Sequence, residues 1–465
     1  MSVVIHILAF IFILGSAVIL HEFGHFIVAK LLKIRVETFS AGFGPRLFGR
    51  KWGQTDYRVS AIPLGGYVKL GGDESNAPIE GAGATDIPPE EMFNLRPRWQ
   101  RVLVALAGPV MNVLTALAIP LGAALIYGMP TTPAPVVSYV SPKGAAEAAG
   151  LQLGDRIVSF NGSDNPSWDA ISGDALLSPG QPLPLVVERN GERIALTIKP
   201  TPRTEDGDTA GSLDFIPDYG GIPVVIRDVT NDSPAAEVGL KIGDRIVSLN
   251  GEMMRSAEQV VQYIRDHAAG PIRLTIERNG ERKEITARTR LSPDGHQRLG
   301  IKTAEDIPLL KAGVAAAGFY AVRSNIEIMR LTGKALGQVF TGQRSARNTL
   351  SGPIGIYRAA SISVEQLGWD GLFKMLSFLS LNLGIFNLLP IPVLDGGAIF
   401  LLLIEGLLAL IGLTLSLAIR ERIQQVGFVM VILLMVFVIT NDLLKQASIW
   451  RGSESNKPAA TEGAK

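Results

Sequence analysis

The pentapeptide His21-Glu22-Phe23-Gly24-His25 stands near the end of an apolar run that begins at Val3. On a helix, residues four apart share a face, so both imidazole rings can reach one metal ion while Glu22 lies nearby to transfer a proton. The HExxH spacing is that of a zinc hydrolase, although a five-residue match can also arise by chance. Polar residues on an ordinary helix face are the weaker alternative here, because an ionisable group at membrane depth costs roughly 2.5 kcal/mol or more.

The run around this motif predicts a first membrane span. Apolar sequence continues to Leu32, which is long enough to cross a hydrocarbon core of ~30 Å. A cleavable signal peptide is a poorer interpretation, since no Lys or Arg precedes the run and no small-residue cleavage site interrupts it. The basic residues that follow predict a cytoplasmic side there and an external N-terminus: Lys30, Lys33, Arg35, Arg46, Arg50, Lys51 and Arg58.

Composition favours a membrane protein with large water-facing parts. Of the 465 residues, 47% are hydrophobic and 19% are charged, and the mean hydropathy is +0.26. A net charge of +1 without a basic stripe argues against nucleic acid as a partner. Because the chain has no cysteine, any bound metal must use His, Asp or Glu.

Between residues 130 and 300 the sequence contains an internal repeat. The hexapeptide at 154–159 (GDRIVS) recurs at 243–248, and the hexapeptide at 188–193 (ERNGER) recurs at 277–282, so both offsets are 89 residues (243 minus 154, 277 minus 188). Each copy has a small-residue helix start, a strand after the Gly-Asp turn and a hairpin at Asn-Gly. The pattern resembles PDZ domains, which accept an extended peptide by strand addition. A spacer or steric cover without peptide affinity is the open alternative.

We predict a second span from Arg101 to about Tyr127, preceded by a region of different character. Residues 34–72 hold glycine-rich, strand-prone pieces that predict a small sheet or hairpin beside span one. Span two carries Gly108, Pro109 and Asn112, whose default role is close helix packing and whose alternative role is support of the metal site.

A third apolar stretch begins near Gly371 and is interrupted at 387–397 (NLLPIPVLDGG). Pro390 and Pro392 cannot lie in a regular helix interior, and broken backbone at membrane depth is tolerated only where it is buried or lines a polar cavity. Catalytic zinc usually takes three protein ligands, so a carboxylate should complete the site. Asp395, after the break and before two glycines, is the first choice, and Glu405 in continuous helix is the second.

The remaining segments receive simpler interpretations. Residues 305–345 predict an amphipathic helix against the membrane or the repeats, ended by Gly352-Pro353. Arg420 to Arg422 predict a cytoplasmic turn before the last span at 426–440. The polar tail from Gly452 predicts disorder.

These motifs in this order resemble the bacterial site-2 proteases of the sigma-E-regulating type, a family of intramembrane zinc metalloproteases with tandem PDZ domains. The resemblance implies that His21, His25 and Asp395 bind one zinc ion and that Glu22 is the general base. It implies that Asn382 and Asn387 bind substrate or the developing oxyanion. One departure is visible, because relatives often carry His after the glycine pair and this chain has Ala398.

The resemblance also implies two further sets of residues. A membrane-re-entrant hairpin would hold the substrate by strand pairing through Gly65, Gly66, Tyr67, Val68, Lys69 and Leu70. Structural support would come from Gly108, Pro109, Asn112, Pro390 and Pro392.

The implied substrates are single-span membrane proteins of the anti-sigma-factor type, cut only after an upstream site-1 protease has trimmed them, and remnant signal peptides. The lipid bilayer is the remaining partner.

We therefore expect a polytopic α-helical membrane protein with four transmembrane helices, a re-entrant β-hairpin and two inserted PDZ-like α+β domains. The repeats and both termini are expected in the periplasm, and the site near the cytoplasmic face of the bacterial inner membrane. The expected segments are span one at 1–33, a cytoplasmic β region and connector at 34–99, span two at 100–128, PDZ-like domains at 130–218 and 219–304, an amphipathic periplasmic region at 305–370, the broken span at 371–418, span four at 423–445 and a disordered tail at 446–465.

Two other classes of function remain open at the level of sequence. A non-catalytic membrane adaptor that uses the PDZ-like pair to bind envelope proteins predicts no zinc and no effect of Glu22→Gln. A metal transporter also places His and Asp in the membrane, but it needs neither a Glu between the histidines nor two peptide-binding repeats.

Overall fold

The chain folds as two units, one of which is inserted into the other. A computed structural model describes residues 3–73, 86–205, 208–266, 270–292, 295–413 and 415–455. Residues 1–126 and 312–465 form the membrane unit, and residues 127–311 form the repeat unit. The insertion therefore follows directly on the second apolar helix, where the sequence predicts a change of character.

The membrane unit is mainly helical. Three of its helices, within the described ranges, are long and apolar enough to cross a membrane: Val3–Leu31, Arg98–Ile126 and the part Arg422–Ala447 of the last helix. The predicted third span is two shorter helices with a break between them, as its prolines require. The helices are α1 (Val3–Leu31), α2 (Arg98–Ile126), α7 (Val314–Phe340), α8 (Ala346–Thr349), α9 (Pro353–Leu367), α10 (Trp369–Asn387), α11 (Asp395–Leu410) and α12 (Leu417–Ser455), with a 3-10 turn at Pro89–Glu91.

The N-terminal half of α1 packs against two helices from the C-terminal part of the chain. Ala9, Ile13 and Ala17 on α1 form one buried cluster with Ala360 and Val364 on α9 and Leu372 and Leu376 on α10. Small residues on α1 and α9 let these helices approach closely. This packing brings the C-terminal helices beside the helix that carries the histidine motif.

The region predicted as one amphipathic helix differs from that prediction. Helix α7 begins at Val314 and ends at Phe340, and it packs on α2, where the Asn325 amide donates to the Ala116 carbonyl at 3.1 Å. Gly352-Pro353 does not end this helix but starts α9, with Pro353 in its first turn. Proline is favoured there because the first N–H groups of a helix have no internal partner.

The C-terminal boundaries differ from the sequence prediction as well. The turn after α11 lies at residues 411–416, and Arg420 already belongs to α12. Apolar residues from Leu443 to Trp450 continue the helical pattern, so α12 runs to Ser455 where a disordered tail was predicted from residue 446. Residues 456–465 of that tail and residues 74–85 of the predicted connector lie outside the described residues.

Beside α1 lies a curled sheet made of two long strands, β1 (Val36–Trp52) and β2 (Thr55–Leu70). Residues 36–41 pair on one side with 56–59 and on the other with 66–70. Residues 66–70, here called the edge segment, therefore lie at one end of the sheet, and no further strand pairs with them in the described part of the chain.

The repeat unit contains two six-stranded sheets with the same strand order. In the first repeat the strand order is β11 (Phe215–Asp218), β4 (Ala134–Val140), β5 (Arg156–Phe160), β7 (Leu183–Arg189) and β8 (Glu192–Ile198), with β6 (Ser163–Asp164) beside β5. In the second it is, from the opposite edge, β16 (Glu281–Arg288), β15 (Pro271–Arg278), β13 (Arg245–Leu249), β12 (Val224–Val229) and β19 (Ile301–Glu305), with β14 (Glu252–Met253) beside β13. In both copies the first arginine of ERNGER pairs with the buried aspartate of GDRIVS. Arg189 lies 2.7 Å from Asp155, and Arg278 lies 2.6 Å from Asp244. The equivalent pairs agree with the repeat read from the sequence.

The elements of the repeat unit are β3 (Met129–Pro130), β4 (Ala134–Val140), α3 (Ala145–Ala148), β5 (Arg156–Phe160), β6 (Ser163–Asp164), α4 (Trp168–Leu176), β7 (Leu183–Arg189), β8 (Glu192–Ile198), β9 (Thr201–Glu205), β10 (Asp208–Ser212), β11 (Phe215–Asp218), β12 (Val224–Val229), α5 (Pro234–Glu237), β13 (Arg245–Leu249), β14 (Glu252–Met253), α6 (Ala257–Asp266), β15 (Pro271–Arg278), β16 (Glu281–Arg288), β17 (Arg290–Leu291), β18 (Gln297–Arg298), β19 (Ile301–Glu305) and β20 (Leu309–Leu310).

Candidate metal centre

Three side chains from two distant parts of the sequence meet inside the membrane unit. Nε2 of His21 lies 3.1 Å from Oδ2 of Asp395, and Nε2 of His25 lies 3.4 Å from Oδ1 of the same carboxylate. The two Nε2 atoms are 3.3 Å apart, and one donor atom from each of the three residues lies within 4.8 Å of the others. His21 is 5% exposed, so this group of donors is largely shielded from solvent.

The outer nitrogens of both imidazole rings are engaged by α2. Nδ1 of His25 donates to the Val104 carbonyl at 2.8 Å, and Nδ1 of His21 lies 3.1 Å from the side-chain amide of Asn112. Partners of this kind fix the tautomer and leave Nε2 as the coordinating atom. Two lone pairs and a carboxylate that point at one place repel each other unless a cation lies between them. The donor set therefore fits a divalent metal ion.

Helix α2 can reach the rings because it carries glycine at the contact. A β-carbon built on Gly108 would overlap Nε2 of His25 and lie 2.8 Å from Cε1 of His21. Gly24 serves the same contact from the side of α1, because its β-carbon would overlap the Ala107 carbonyl. The glycines at this contact thus leave room for both histidine rings between α1 and α2.

Asp395 is presented by the break between α10 and α11. It is the first residue of α11, and the glycine pair behind it lets that helix start directly under the loop. A β-carbon on Gly396 would overlap the Leu388 carbonyl, and one on Gly397 would overlap the Ile391 carbonyl. Val393 in this loop has a φ of +86°, which is strained for a β-branched residue. The break is therefore a tightly packed turn rather than an open gap.

Glu22 lies between the donor group and the edge segment. A β-carbon built on Gly66 would lie 3.5 Å from Glu22 Cγ, so the Glu22 side chain lies against the backbone of the edge segment. Close to this contact, Tyr67 is stacked on Phe43 and receives a hydrogen bond from Arg58. The edge segment thus runs directly past the acid of the HExxH motif.

The two asparagines predicted to bind substrate have different surroundings. The side-chain amide nitrogen of Asn387 donates to Nε2 of His21 at 3.1 Å, so Asn387 belongs to the centre. Asn382 does not: its oxygen accepts from Thr332 on α7 at 3.0 Å, and its nitrogen donates to the Phe378 carbonyl at 2.9 Å. Asn382 therefore joins α7 to α10, and its contact with substrate stays a prediction.

The second choice for the third ligand lies elsewhere. Glu405 is 6% exposed, and its carboxylate pairs with Nε of Arg420 at 2.6 Å. This ion pair connects α11 to α12 and takes no part in the donor group. Ala398, the departure from related sequences, is exposed.

Two contributors to the centre escaped the sequence analysis. The Val104 carbonyl is a backbone group, which no side-chain motif reveals. Ser380, fully buried on α10, lies 3.1 Å from the Asn112 carbonyl and 3.3 Å from its side-chain amide. The spacing of Ser377 and Ser380, one turn apart in an apolar helix, is the signal that would have pointed to a polar helix contact.

Comparisons with known proteins give matches over nearly the whole chain. The profile of peptidase family M50 matches residues 9–434. A protease RseP from Yersinia pestis is 33% identical over 472 residues, an alignment that covers 95% of this chain and 99% of that protein. The regulator of sigma-E protease RseP from Escherichia coli is 32% identical and covers 93% and 97%, and a putative zinc metalloprotease from Vibrio cholerae is 30% identical and covers 94% and 98%. Among solved structures, the PDZ domain of an SdrC-like protein from Listeria monocytogenes is 21% identical and covers 18% of this chain and 87% of that domain, with a TM-score of 0.17.

Proposed function

The chain belongs to peptidase family M50, and on that premise we propose that it is a site-2 protease that cuts peptide bonds inside the membrane-spanning segments of other proteins. It is a membrane zinc metalloprotease. The single observation that carries the proposal is the meeting of His21, His25 and Asp395 beside Glu22 on apolar helices. A hydrolytic site in that setting has membrane segments as its accessible substrates.

We propose His21, His25 and Asp395 as the ligands of one zinc ion. Two imidazoles and a carboxylate are a usual set of three protein ligands for catalytic zinc. When bound, zinc supplies a Lewis acid that polarises the scissile carbonyl and brings the pKa of water down to about 7. The contacts of Val104 and Asn112 on the far side of the rings keep both Nε2 atoms directed at the ion.

Glu22 acts as the general base and then as the general acid. Its carboxylate takes a proton from the attacking water and returns it to the nitrogen of the leaving amine. Gly66 has no side chain, which leaves room for Glu22 beside the edge segment. Asn387 donates its amide N–H to the oxyanion that develops on the substrate carbonyl, a type of contact whose removal costs on the order of 3 kcal/mol.

The edge segment binds the substrate in an extended form. A helical substrate hides its carbonyls in internal hydrogen bonds, so the scissile stretch must be unwound before attack. Residues 66–70 pair with β1 on one side only in the described residues, and in this proposal an extended substrate adds to their other side. Substrate helices with Gly or Ser near the cut unwind more easily and should be preferred.

The chain crosses the membrane four times in this proposal, with α10 and α11 together as the third, broken span. The basic residues after α1 favour a cytoplasmic position there, so the N-terminus and the repeat unit face the periplasm and the site lies towards the cytoplasm. The sheet of β1 and β2 dips into the membrane beside α1 as a re-entrant hairpin. The inner membrane of a bacterium is the setting for this topology.

The repeat unit filters substrates by size. A bulky folded ectodomain cannot approach the site until an upstream site-1 protease has trimmed it. Relatives that carry the name regulator of sigma-E protease suggest an anti-sigma factor as one such single-span substrate. Remnant signal peptides, which have no folded ectodomain, are the second substrate class.

A cleavage assay tests this function. Purified chain in detergent micelles is incubated with a trimmed single-span reporter, with and without 1,10-phenanthroline. We expect cleavage to stop in chelator and to return when zinc is added. Continued cleavage by protein from which zinc has been removed would contradict the proposal.

A further inference from the structure

A chain of buried polar side chains lies behind the metal centre and joins three helices. His21 on α1 is 3.1 Å from the side-chain amide of Asn112 on α2. Ser380 on α10 lies 3.3 Å from the same amide and donates its hydroxyl proton to the Asn112 backbone carbonyl at 3.1 Å. Both Asn112 and Ser380 are 0% exposed.

The direction of these hydrogen bonds follows from the chemistry of the ring. The structure places the amide nitrogen of Asn112 3.1 Å from Nδ1 of His21 and the amide oxygen 3.3 Å from the Ser380 hydroxyl. An imidazole whose Nε2 binds a metal carries its proton on Nδ1, so metal binding requires the amide to be turned by 180°, with its oxygen accepting from Nδ1. The amide nitrogen of Asn112 then faces Ser380 and donates to its oxygen. In this arrangement each polar group of the three residues has a partner, which buried groups among apolar helices require.

The position of Ser380 in the fold gives this chain its significance. The histidines are on α1, whereas Asp395 and Asn387 depend on α10 and the loop that follows it. In the described residues, the contacts of Ser380 and Asn112 form a continuous hydrogen-bonded connection between these two halves on the side away from the substrate. A shift of α10 against α2 would change the separation between the His pair and Asp395.

We infer that Ser380 is a positioning residue, which holds Asn112 against His21 and thereby keeps the two halves of the donor group in the register that binds zinc. The inference rests on the proposed function for the identity of the metal. It concerns a residue that touches neither metal nor substrate and that acts through Asn112.

Ser377 provides a matched control on the same helix. It lies one turn before Ser380, is 7% exposed and donates to the Ala116 carbonyl of α2 at 2.9 Å. Removal of the Ser377 hydroxyl deletes one hydrogen bond between α10 and α2, and removal of the Ser380 hydroxyl deletes two, one of them to the side chain that contacts a proposed ligand. A difference between the two variants therefore isolates positioning from helix packing.

The test measures zinc affinity rather than proteolysis. Full-length chain in detergent micelles is stripped of metal and titrated with zinc against a fluorescent chelator. We expect Ser380→Ala to weaken zinc binding about 10- to 100-fold, and Ser377→Ala to leave it within about twofold. Ser380→Thr, which keeps the hydroxyl, should retain most of the affinity, so a loss in both Ser380 variants with no loss at Ser377 is assigned to altered packing and counts against the inference.

A double-variant cycle shows whether Ser380 acts through Asn112. We expect Asn112→Ala with Ser380→Ala to bind zinc no more weakly than Asn112→Ala alone. Additive losses, or an unchanged affinity in Ser380→Ala, would overturn the inference and leave the proposed function intact. A wild-type chain that binds no zinc would overturn both.

Discussion

Gly108 decides how closely the second span approaches the histidines. A β-carbon at this position would overlap His25 and crowd His21, whereas one on Gly122 of the same helix would have no atom within 4 Å. Close packing in helices of this kind depends on small residues at the contact. The rings are therefore held between α2 and Asp395 by shape as well as by hydrogen bonds.

We expect Gly108→Ala to lower zinc affinity at least about tenfold, because the rings must turn away from the donor group to accommodate the methyl group. Gly122→Ala is the control and should bind zinc as the wild type does. Zinc retained per purified chain, measured by atomic absorption, checks the difference. Equal zinc contents in the two variants would show that α2 moves aside without disturbing the site.

The proposed ligands could be chosen from the sequence, but their surroundings could not be predicted from it. HExxH on an apolar helix and a carboxylate at a proline-broken span have specific chemistry, which is why Asp395 could be ranked above Glu405. Asn382 and Asn387 lie about 140° apart around one helix. Only the packing of α10 against its neighbours decides which of the two asparagines faces His21. That packing cannot be read from a single sequence.

At the scale of elements, the first short helix of each repeat, α3 in the first and α5 in the second, is capped by a different side chain. In the first repeat, the amide of Ala145 donates to the carboxylate of Asp214 at 3.0 Å, and a β-carbon on Gly144 would lie 2.5 Å from Asp214 Cβ. In the second, Ser233 accepts from the amide of Ala236, and Gly300 leaves space for that serine.

The equivalence of the two positions is independent of the helix start. The Ser141 amide donates to the carbonyl of Asp214 at 2.9 Å, as the Thr230 amide does to that of Gly300 at 2.8 Å. Pro234, at the position of Ala145, has no N–H to donate. The side chain that caps this helix thus belongs to Asp214, just before β11, in the first repeat and to Ser233, directly before α5, in the second.

Asp214 should stabilise the first repeat by about 2 kcal/mol relative to glycine, because Ala145, Thr201, Ser212 and Arg203 all donate to its carboxylate. Gly144→Ser introduced together with Asp214→Gly should recover about 1 kcal/mol by restoring a serine cap. Amide hydrogen exchange in the full chain measures the first repeat against the second as an internal reference. Equal protection in Asp214→Gly and wild type would show that the carboxylate contributes nothing.

The same carboxylate predicts a pH dependence. Burial by itself raises the pKa of Asp214, but hydrogen bonds from Thr201, Ala145, Ser212 and Arg203 outweigh it and hold the pKa below the ordinary value. A group with a lowered folded-state pKa stabilises at neutral pH, and its contribution is lost as pH falls through that pKa. The first repeat should therefore lose protection in acid more steeply than its Asp214→Gly variant.

Helix boundaries were the least predictable elements. Gly352-Pro353 is compatible with the end of one helix and with the start of another. In the fold it starts α9, whose residues pack against α1. Long-range contacts made by Asn325 and Thr332 hold α7 against α2 and α10, where the sequence pattern predicted a helix against the membrane or the repeats. Amphipathic spacing predicts a helix but not the partner of its polar residues.

At the scale of the whole molecule, the repeat unit is an insertion between two helices of the membrane unit. The 89-residue offset was enough to predict two equivalent domains, because an internal repeat needs no knowledge of the partner surface. Whether the repeat unit admits or excludes a given substrate is not encoded in such local patterns.

Deletion of residues 135–290 should allow the chain to cut a reporter that still carries its folded ectodomain. The physical reason is that the filter is removed while the donor group and the edge segment, which lie in the membrane unit, remain. Cleavage of trimmed and untrimmed reporters is compared by gel for both forms of the enzyme. If the deleted form still cuts only the trimmed reporter, size exclusion by the repeats is wrong.

The most direct measurement is made on Glu22→Gln, which keeps the shape of the side chain and removes its ability to carry the proton. Purified wild type and variant are assayed for bound zinc and for cleavage of the trimmed single-span reporter. We expect one zinc per chain in both, and a loss of cleavage of at least about 100-fold in the variant. Wild-type cleavage by a zinc-loaded Glu22→Gln chain would contradict the assignment of this site as the protease centre.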